Sequence, residues 1–208
     1  MSPKKYYHPL YESPLEELFA VSTKPFLKRT VKILPQFEIL TDWGKFRLDF
    51  LFIHRKKLIA VECDGISAHD ENAQIYDAWR DVICLSQKAV NVIYRFSGDR
   101  LFNRILDAVY LFYKYEHQLF RIKTFNEIEN KIKPETKNVF ESLFFESNFS
   151  VEIPFNDAQT ENGQEIKPGF ISIKKHADIT ADQKVIYNFL KENKGKRINT
   201  LIYKYFNQ

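Results

Sequence analysis

The chain has 208 residues, 31 Lys and Arg against 27 Asp and Glu, and 44% hydrophobic residues with only 6 Gly and 8 Pro. This excludes a disordered, collagenous or mini-protein class. Nineteen Phe and eleven Tyr point to an aromatic core. The net charge of +4 is uneven: +2 over residues 1–120, −3 over 121–172 and +5 over 173–208. No apolar run reaches the length of a membrane span, and the first residues lack a secretory core. A cytoplasmic protein is therefore expected, with Cys63 and Cys84 reduced.

In chain order, Ser13-Pro14-Leu15-Glu16 reads as the capped start of a helix over about residues 13–22. Three β-like runs follow, Ile33 to Leu40, Lys45 to Ile53 and Lys57 to Glu62, with turns at 42–44 and 54–56. The third run, Leu-Ile-Ala-Val-Glu, is nearly all apolar, as in a central strand. Asp70 to Lys88 carries Ile75, Trp79, Val82 and Ile83 at helical spacing, Val90 to Tyr94 reads as a strand, and Asp99 to Leu119 as a long helix. A polar stretch places a domain boundary near residues 122–134. The expected division is a main domain over 1–122 and an accessory domain over 123–208. The second unit reads as a helix near Asn138–Glu146, strands at Ser150–Pro154 and Gly169–Lys174, and a final helical pair capped at Thr180.

The residues that carry chemistry are Arg47-Leu48-Asp49-Phe50, Val61-Glu62-Cys63-Asp64-Gly65, His69, and Asp77-Ala78-Trp79-Arg80. On strands joined by a short hairpin, Asp49 and Glu62 share a face, with Asp64 just beyond. At an effective dielectric near 20, two carboxylates about 4 Å apart repel by roughly 4 kcal/mol unless a cation or proton intervenes. Hard oxygen ligands favour Mg²⁺, with Mn²⁺ able to substitute.

These residues resemble the PD-(D/E)XK nuclease superfamily, in its very-short-patch-repair endonuclease-like branch, which includes the E-D-x-H-D homing endonucleases. The resemblance covers roughly residues 13–105. It rests on Glu16, Arg47/Asp49/Phe50, Glu62/Asp64/Gly65, His69, Asp77/Arg80 and Arg95/Phe96, in order. It implies an α/β, restriction-endonuclease-like fold: a mixed central sheet flanked by helices, here with a smaller α+β C-terminal module. It also implies Mg²⁺-dependent phosphodiester hydrolysis leaving a 5′-phosphate, with Asp49, Glu62 and the carbonyl of Cys63 as metal ligands.

One departure stands out: the superfamily's Glu-x-Lys is Glu62-x-Asp64 here, so the lysine that orients water is missing. His69 is the expected substitute, with Arg80 or Lys88 as rivals for stabilising charge on phosphate. Each residue also has a structural reading. Glu16 fits a capping box, with Glu17 its rival for the inward position, Asp77 and Arg80 fit an i,i+3 ion pair, and the Cys63 thiol fits core packing.

The leading expectation is a metal-dependent nuclease, an endonuclease acting on DNA, in defence, repair or mobile-element biology. The competing one is a non-catalytic nucleic-acid-binding or assembly subunit on the same fold. Lys174, Lys175, Lys194, Lys196 and Arg197 are the expected nucleic-acid contacts, with a protein partner as the alternative for the segment 123–208.

Overall fold

The computed structural model describes residues 10–64, 71–142, 146–155, 159–161, 164–166 and 169–207. Helix α1 (Pro14–Thr23) starts where the sequence says it should: the Glu16 N–H donates to Ser13 Oγ at 3.2 Å and Pro14 occupies the first turn. Strands β1 (Lys32–Thr41), β2 (Gly44–His54) and β3 (Lys57–Cys63) form an antiparallel meander. Helix α2 (Glu71–Ser86) then leads to β4 (Val92–Ser97), which lies parallel to β3. A parallel neighbour requires such a crossover.

The next helix, α3 (Ile105–Tyr115), is shorter at both ends than the periodicity of 99–119 suggests. Gly98 adopts φ 119°, and a Cβ there would lie 2.4 Å from the Phe170 carbonyl oxygen. Asp99 Oδ1 accepts from the Phe170 N–H at 2.7 Å, and the Arg100 N–H donates to Phe170 O at 3.1 Å. This turn is thus tied to a distant strand before the helix can begin.

The expected linker holds α4 (Thr124–Glu129) and α5 (Pro134–Ser142), and Ile128 and Ile132 are buried. Asp107 of α3 accepts from Thr136 Oγ1 at 2.6 Å and from the Lys133 N–H at 3.2 Å, which docks this stretch on the main core. Beyond it come β5 (Phe149–Phe155), β6 (Gln159–Glu161), β7 (Gln164–Ile166) and β8 (Gly169–His176), then α6 (Ala181–Glu192) and α7 (Ile198–Phe206). The principal sheet is mixed and six-stranded, in the order β1-β2-β3-β4-β8-β5, with β6-β7 a separate ribbon. The sheet therefore runs across the boundary expected at residue 122. The reason is physical: β4 would otherwise leave an open edge in the middle of the molecule, and β8 pairs with it from Ile93↔His176 to Ser97↔Ser172.

Helices α1 and α3 cover one face, where Phe19, Phe50, Phe52, Phe96 and Phe112 pack ring against ring. The other face is covered by α2, α6 and α7, whose Trp79, Ile83, Leu190, Ile198 and Leu201 pack against Leu51, Ala60 and Ile93. Trp43, at the tip of the β1–β2 hairpin, donates its indole N–H to Leu190 O at 3.1 Å. Among the described residues no helix is long and apolar enough to cross a membrane.

Candidate active site

Asp49 stands one step past the last β2–β3 pair, Phe50↔Val61. Beyond that point β2 continues with β1 alone, while β3 runs on beside β4, so the two strands part at this residue. Asp49 Oδ2 spans the gap and accepts from the Cys63 N–H at 2.8 Å. Burial pushes its carboxyl up to about 7. The Cys63 hydrogen bond opposes this, the charges of Glu16 and Asp64 add to it, and Arg80 opposes it.

Glu62 is buried, and its Oε2 accepts from Arg80 Nη2 at 3.0 Å while its Oε1 is buried without a partner. Burial pushes this carboxyl up to about 8; Asp49 and Asp64 add to the shift, and Arg80 and Arg95 oppose it. Asp64 is also raised, first by burial and then by Asp77, with Arg95 Nη1 3.4 Å away working against the rise.

Arg80 reaches the site from the middle of α2, with Asp77 3.4 Å away one turn earlier. It is the cation that sits on Glu62. Lys88, its rival, is exposed past the end of the helix with φ 55°. Glu16 is the buried member of its pair, and Glu17 is only half-buried. The Glu16 carboxylate accepts from the Glu12 N–H at 3.0 Å and from Gln36 Nε2 at 2.6 Å. Gln36 sits in β1 between the pairs Pro35↔Phe50 and Phe37↔Leu48, with φ 51°. His69 and Gly65 lie outside the described residues. The thiols of Cys63 and Cys84 are free and buried, and burial raises both, Cys84 to about 12, which suits packing rather than nucleophilic work.

Two residues that the sequence reading passed over, Asp81 and His176, complete the arrangement around Arg95, which the sequence had already singled out. Arg95 pairs with Glu62 across β3–β4 and with Lys174 across β4–β8, so Glu62, Arg95 and Lys174 form one row beneath α2. Its guanidinium grips the buried Asp81 through Nη2 at 2.8 Å and Nε at 3.1 Å. Arg95, the His176 contact and Arg80 outweigh burial and hold the Asp81 carboxyl well below its ordinary range. His176 Nδ1 lies 3.3 Å from Asp81 Oδ2. A cleft of about 300 Å³ opens here, lined by Asp64, Gln74, Asp77, Asp81, Arg95, Lys174 and His176. Asp81 was legible as the residue after Arg80, and Arg95 as a strand-end charge. Nothing in the sequence around His176 marked it.

The expected basic contacts do not share one surface. Lys174 lines the cleft, whereas Lys175 points to the other face, over the rings of Tyr115 and Phe149, and donates to Glu146 O at 2.9 Å. Lys194 pairs with Asp42 at 2.9 Å, Lys196 donates to Asn193 Oδ1 at 3.0 Å, and Arg197 is exposed at the head of α7.

Buried carboxylates elsewhere show what a structural role looks like. Glu116, on the α3 face, accepts from Lys57 Nζ, Tyr94 Oη and Gln118 Nε2. At the site, Glu62 Oε1, Gln36 Oε1 and Arg80 Nε are buried without a partner, although such atoms also occur at Ser86, Arg100 and Glu135. A native fold leaves few of them, each costing about 1–3 kcal/mol. Among the described residues no three His, Cys, Asp or Glu side chains are grouped to hold a metal ion, so Asp49 and Glu62 offer two carboxylates and no third. No protein-family model, curated protein or solved structure matches the chain.

Proposed function

We propose that the protein is a divalent-metal-dependent nuclease that hydrolyses phosphodiester bonds, with DNA as substrate, on a restriction-endonuclease-like core. One observation carries this reading: two neighbouring carboxylates, half-buried Asp49 and buried Glu62, stand where burial raises both above the ordinary carboxylate range, and Glu62 Oε1 has no partner. A divalent cation bound there would relieve the cost of ionising both carboxylates and give the orphaned oxygen a partner. The residues present fit such an ion. Asp49, Glu62 and the carbonyl of Cys63 would hold it as hard oxygen donors, with Mg²⁺ or Mn²⁺ the matching choices. When bound, the ion supplies charge stabilisation to the phosphate and a more acidic water.

The chain's own residues do the rest. Arg80 holds Glu62 through its planar guanidinium and would offer charge to a phosphate oxygen, the role for which it was a rival to His69. Glu16, fixed by Gln36 and the Glu12 N–H, adds negative charge beside Asp49 and so strengthens the pull on a cation. Lys174 offers an exposed ammonium to the backbone at the edge of the cleft.

The test is to incubate the protein with circular, linear and single-stranded DNA and with RNA, with Mg²⁺, Mn²⁺ or EDTA. Metal-dependent cleavage that Asp49→Ala abolishes supports the reading. Binding without cleavage under every condition would replace it with the non-catalytic binding subunit.

A further inference from the structure

We propose that Gln36 is a further oxygen ligand of the divalent cation at the Asp49–Glu62 site, through its side-chain amide oxygen Oε1. The inference rests on the metal site of the nuclease reading and deepens it, because Gln36 is not among the residues that carry the family resemblance.

Alternate residues of a strand face the same way, yet β1 and β2 both break that rule at one row of the sheet. In β1, Ile33 packs against the core beneath α1 and α3, whereas Phe37 and Ile39 pack into the core beneath α2. In β2, Phe50 and Phe52 belong to the first core, whereas Phe46 and Leu48 belong to the second. The change of side falls between the pairs Pro35↔Phe50 and Phe37↔Leu48, and the residues enclosed by those pairs are Gln36 and Asp49. Gln36 makes the change in β1 with φ 51°, a left-handed conformation that costs a side chain of its kind free energy. Asp49 and Glu62 each stand one step past Phe50↔Val61, so Gln36, Asp49 and Glu62 occupy one row on three successive strands, where the sheet opens.

One end of the Gln36 amide is fixed. Nε2 donates to Glu16 Oε2 at 2.6 Å, and that oxygen also accepts from the Glu12 N–H. The same Glu16 lies near enough to Asp49 for its charge to act on the Asp49 carboxyl. With the nitrogen held on Glu16, Oε1 is the other end of the amide, buried and without a hydrogen-bond partner. Glu62 Oε1 shares that condition. Two orphaned oxygens in the row of Asp49 repel one another and attract a cation. An amide carbonyl is a hard oxygen donor, and with Asp49, Glu62 and the carbonyl of Cys63 it leaves room on an octahedral ion for water and a phosphate oxygen.

The experiment measures Mn²⁺ affinity by calorimetry and counts the waters on the bound ion from the broadening of its EPR lines in water enriched in the magnetic oxygen isotope. Gln36→Met keeps the length of the side chain and removes both polar atoms. The expected result is a loss of about 10-fold or more in Mn²⁺ affinity, with one more water on the ion than in the wild type. Gln36→Glu puts an oxygen back and should bring both readouts back towards wild type. Gln36→Gly, which suits φ 51° and also lacks the oxygen, repeats the comparison, and cooperative melting curves establish that the variants are folded. Unchanged affinity in the folded Met and Gly variants would overturn the assignment. So would weaker binding with the wild-type count of waters, which would make Gln36 a support for Glu16 and no ligand. Gln36-dependent Mn²⁺ binding in a protein that cuts no nucleic acid would remove the nuclease reading and leave the ligand in place, whereas a wild type that binds no Mn²⁺ would remove both.

Discussion

Glu62 and Arg95 stand side by side across the parallel β3–β4 pair, and each turns to a partner on α2: Glu62 to Arg80, Arg95 to Asp81. Two arginine–carboxylate pairs thus pin one helix to the sheet. Arg95→Met strands the charge of Asp81 in the interior and should destabilise the fold by about 3–5 kcal/mol in urea unfolding. Removing both charges, in Asp81→Leu with Arg95→Met, should cost less than the single change. A double variant as unstable as the sum of two singles would show that the pair is not coupled.

Without divalent metal, stability should fall as pH rises from about 5 to about 8. In the folded protein burial pushes Asp49 up to about 7 and Glu62 up to about 8, well above the ordinary carboxylate range of an unfolded chain. The folded state therefore binds more protons across this window, so their stabilisation is complete at low pH and lost as pH rises through the folded values. Asp81 acts in the opposite sense, with its contribution lost only as pH falls below the ordinary carboxylate range. Melting curves from pH 5 to 8.5 check this. Glu62→Gln should flatten the upper part of the curve, and added Mg²⁺ should raise the melting temperature most at the alkaline end.

Asp49→Ala and Glu62→Ala should each abolish cleavage; the metal-free melting temperature should hold or rise for Asp49→Ala, which removes one of two repelling carboxylates, and fall for Glu62→Ala, which strands the buried Arg80. Calorimetric titration with Mn²⁺ should show binding and proton release in the wild type and neither in the variants. Robust Mg²⁺-dependent activity in either variant would exclude that residue from the site.

A chain cut at residue 122 should not fold. It would lose β8 from the edge of β4, and with α6 and α7 the cover over Trp79 and Ile83. Circular dichroism and solubility of the 1–122 fragment test this, and a cooperative, soluble fragment would contradict it.

The basic residues should separate by role. On duplex DNA, Lys196→Ala and Arg197→Ala should each lower the log–log salt slope of binding by about 0.9 if they meet phosphates. Lys175→Ala should leave the slope unchanged and lower stability instead, since its ammonium rests on Tyr115 and Phe149. A change in slope for Lys175→Ala would put that residue back on the nucleic-acid face.

The elements of residues 13–97 were legible because each carries a local mark: the Ser13 cap, the period-2 run around Asp49, the apolar Leu-Ile-Ala-Val-Glu of β3, and the 3.6 spacing of Ile75, Trp79 and Ile83. Their order put Asp49 beside Glu62, and a short hairpin requires that. The pairing of β8 with β4 left no such mark, because it joins residues about 80 apart through backbone hydrogen bonds alone. For the same reason Asp81, Arg95 and His176, on three separate elements, were not legible as a group. The stretch 122–134 looked like a linker because its surface residues are polar. Ile128 and Ile132, apolar side chains among charges, were the hint that it packs, and both are buried.

The bond from Trp43 to Leu190 joins residues 147 apart in sequence. Contacts at that separation form late, since a long loop must close before they stabilise anything. During synthesis the hairpin that carries Asp49 is made early, but its tip is not secured until the last helices have left the ribosome. The same holds for the wall of the cleft at β8. A nascent chain therefore carries Asp49 and Glu62 well before β8 forms the cleft wall, and the activity proposed for them would wait on the translation of β8, α6 and α7.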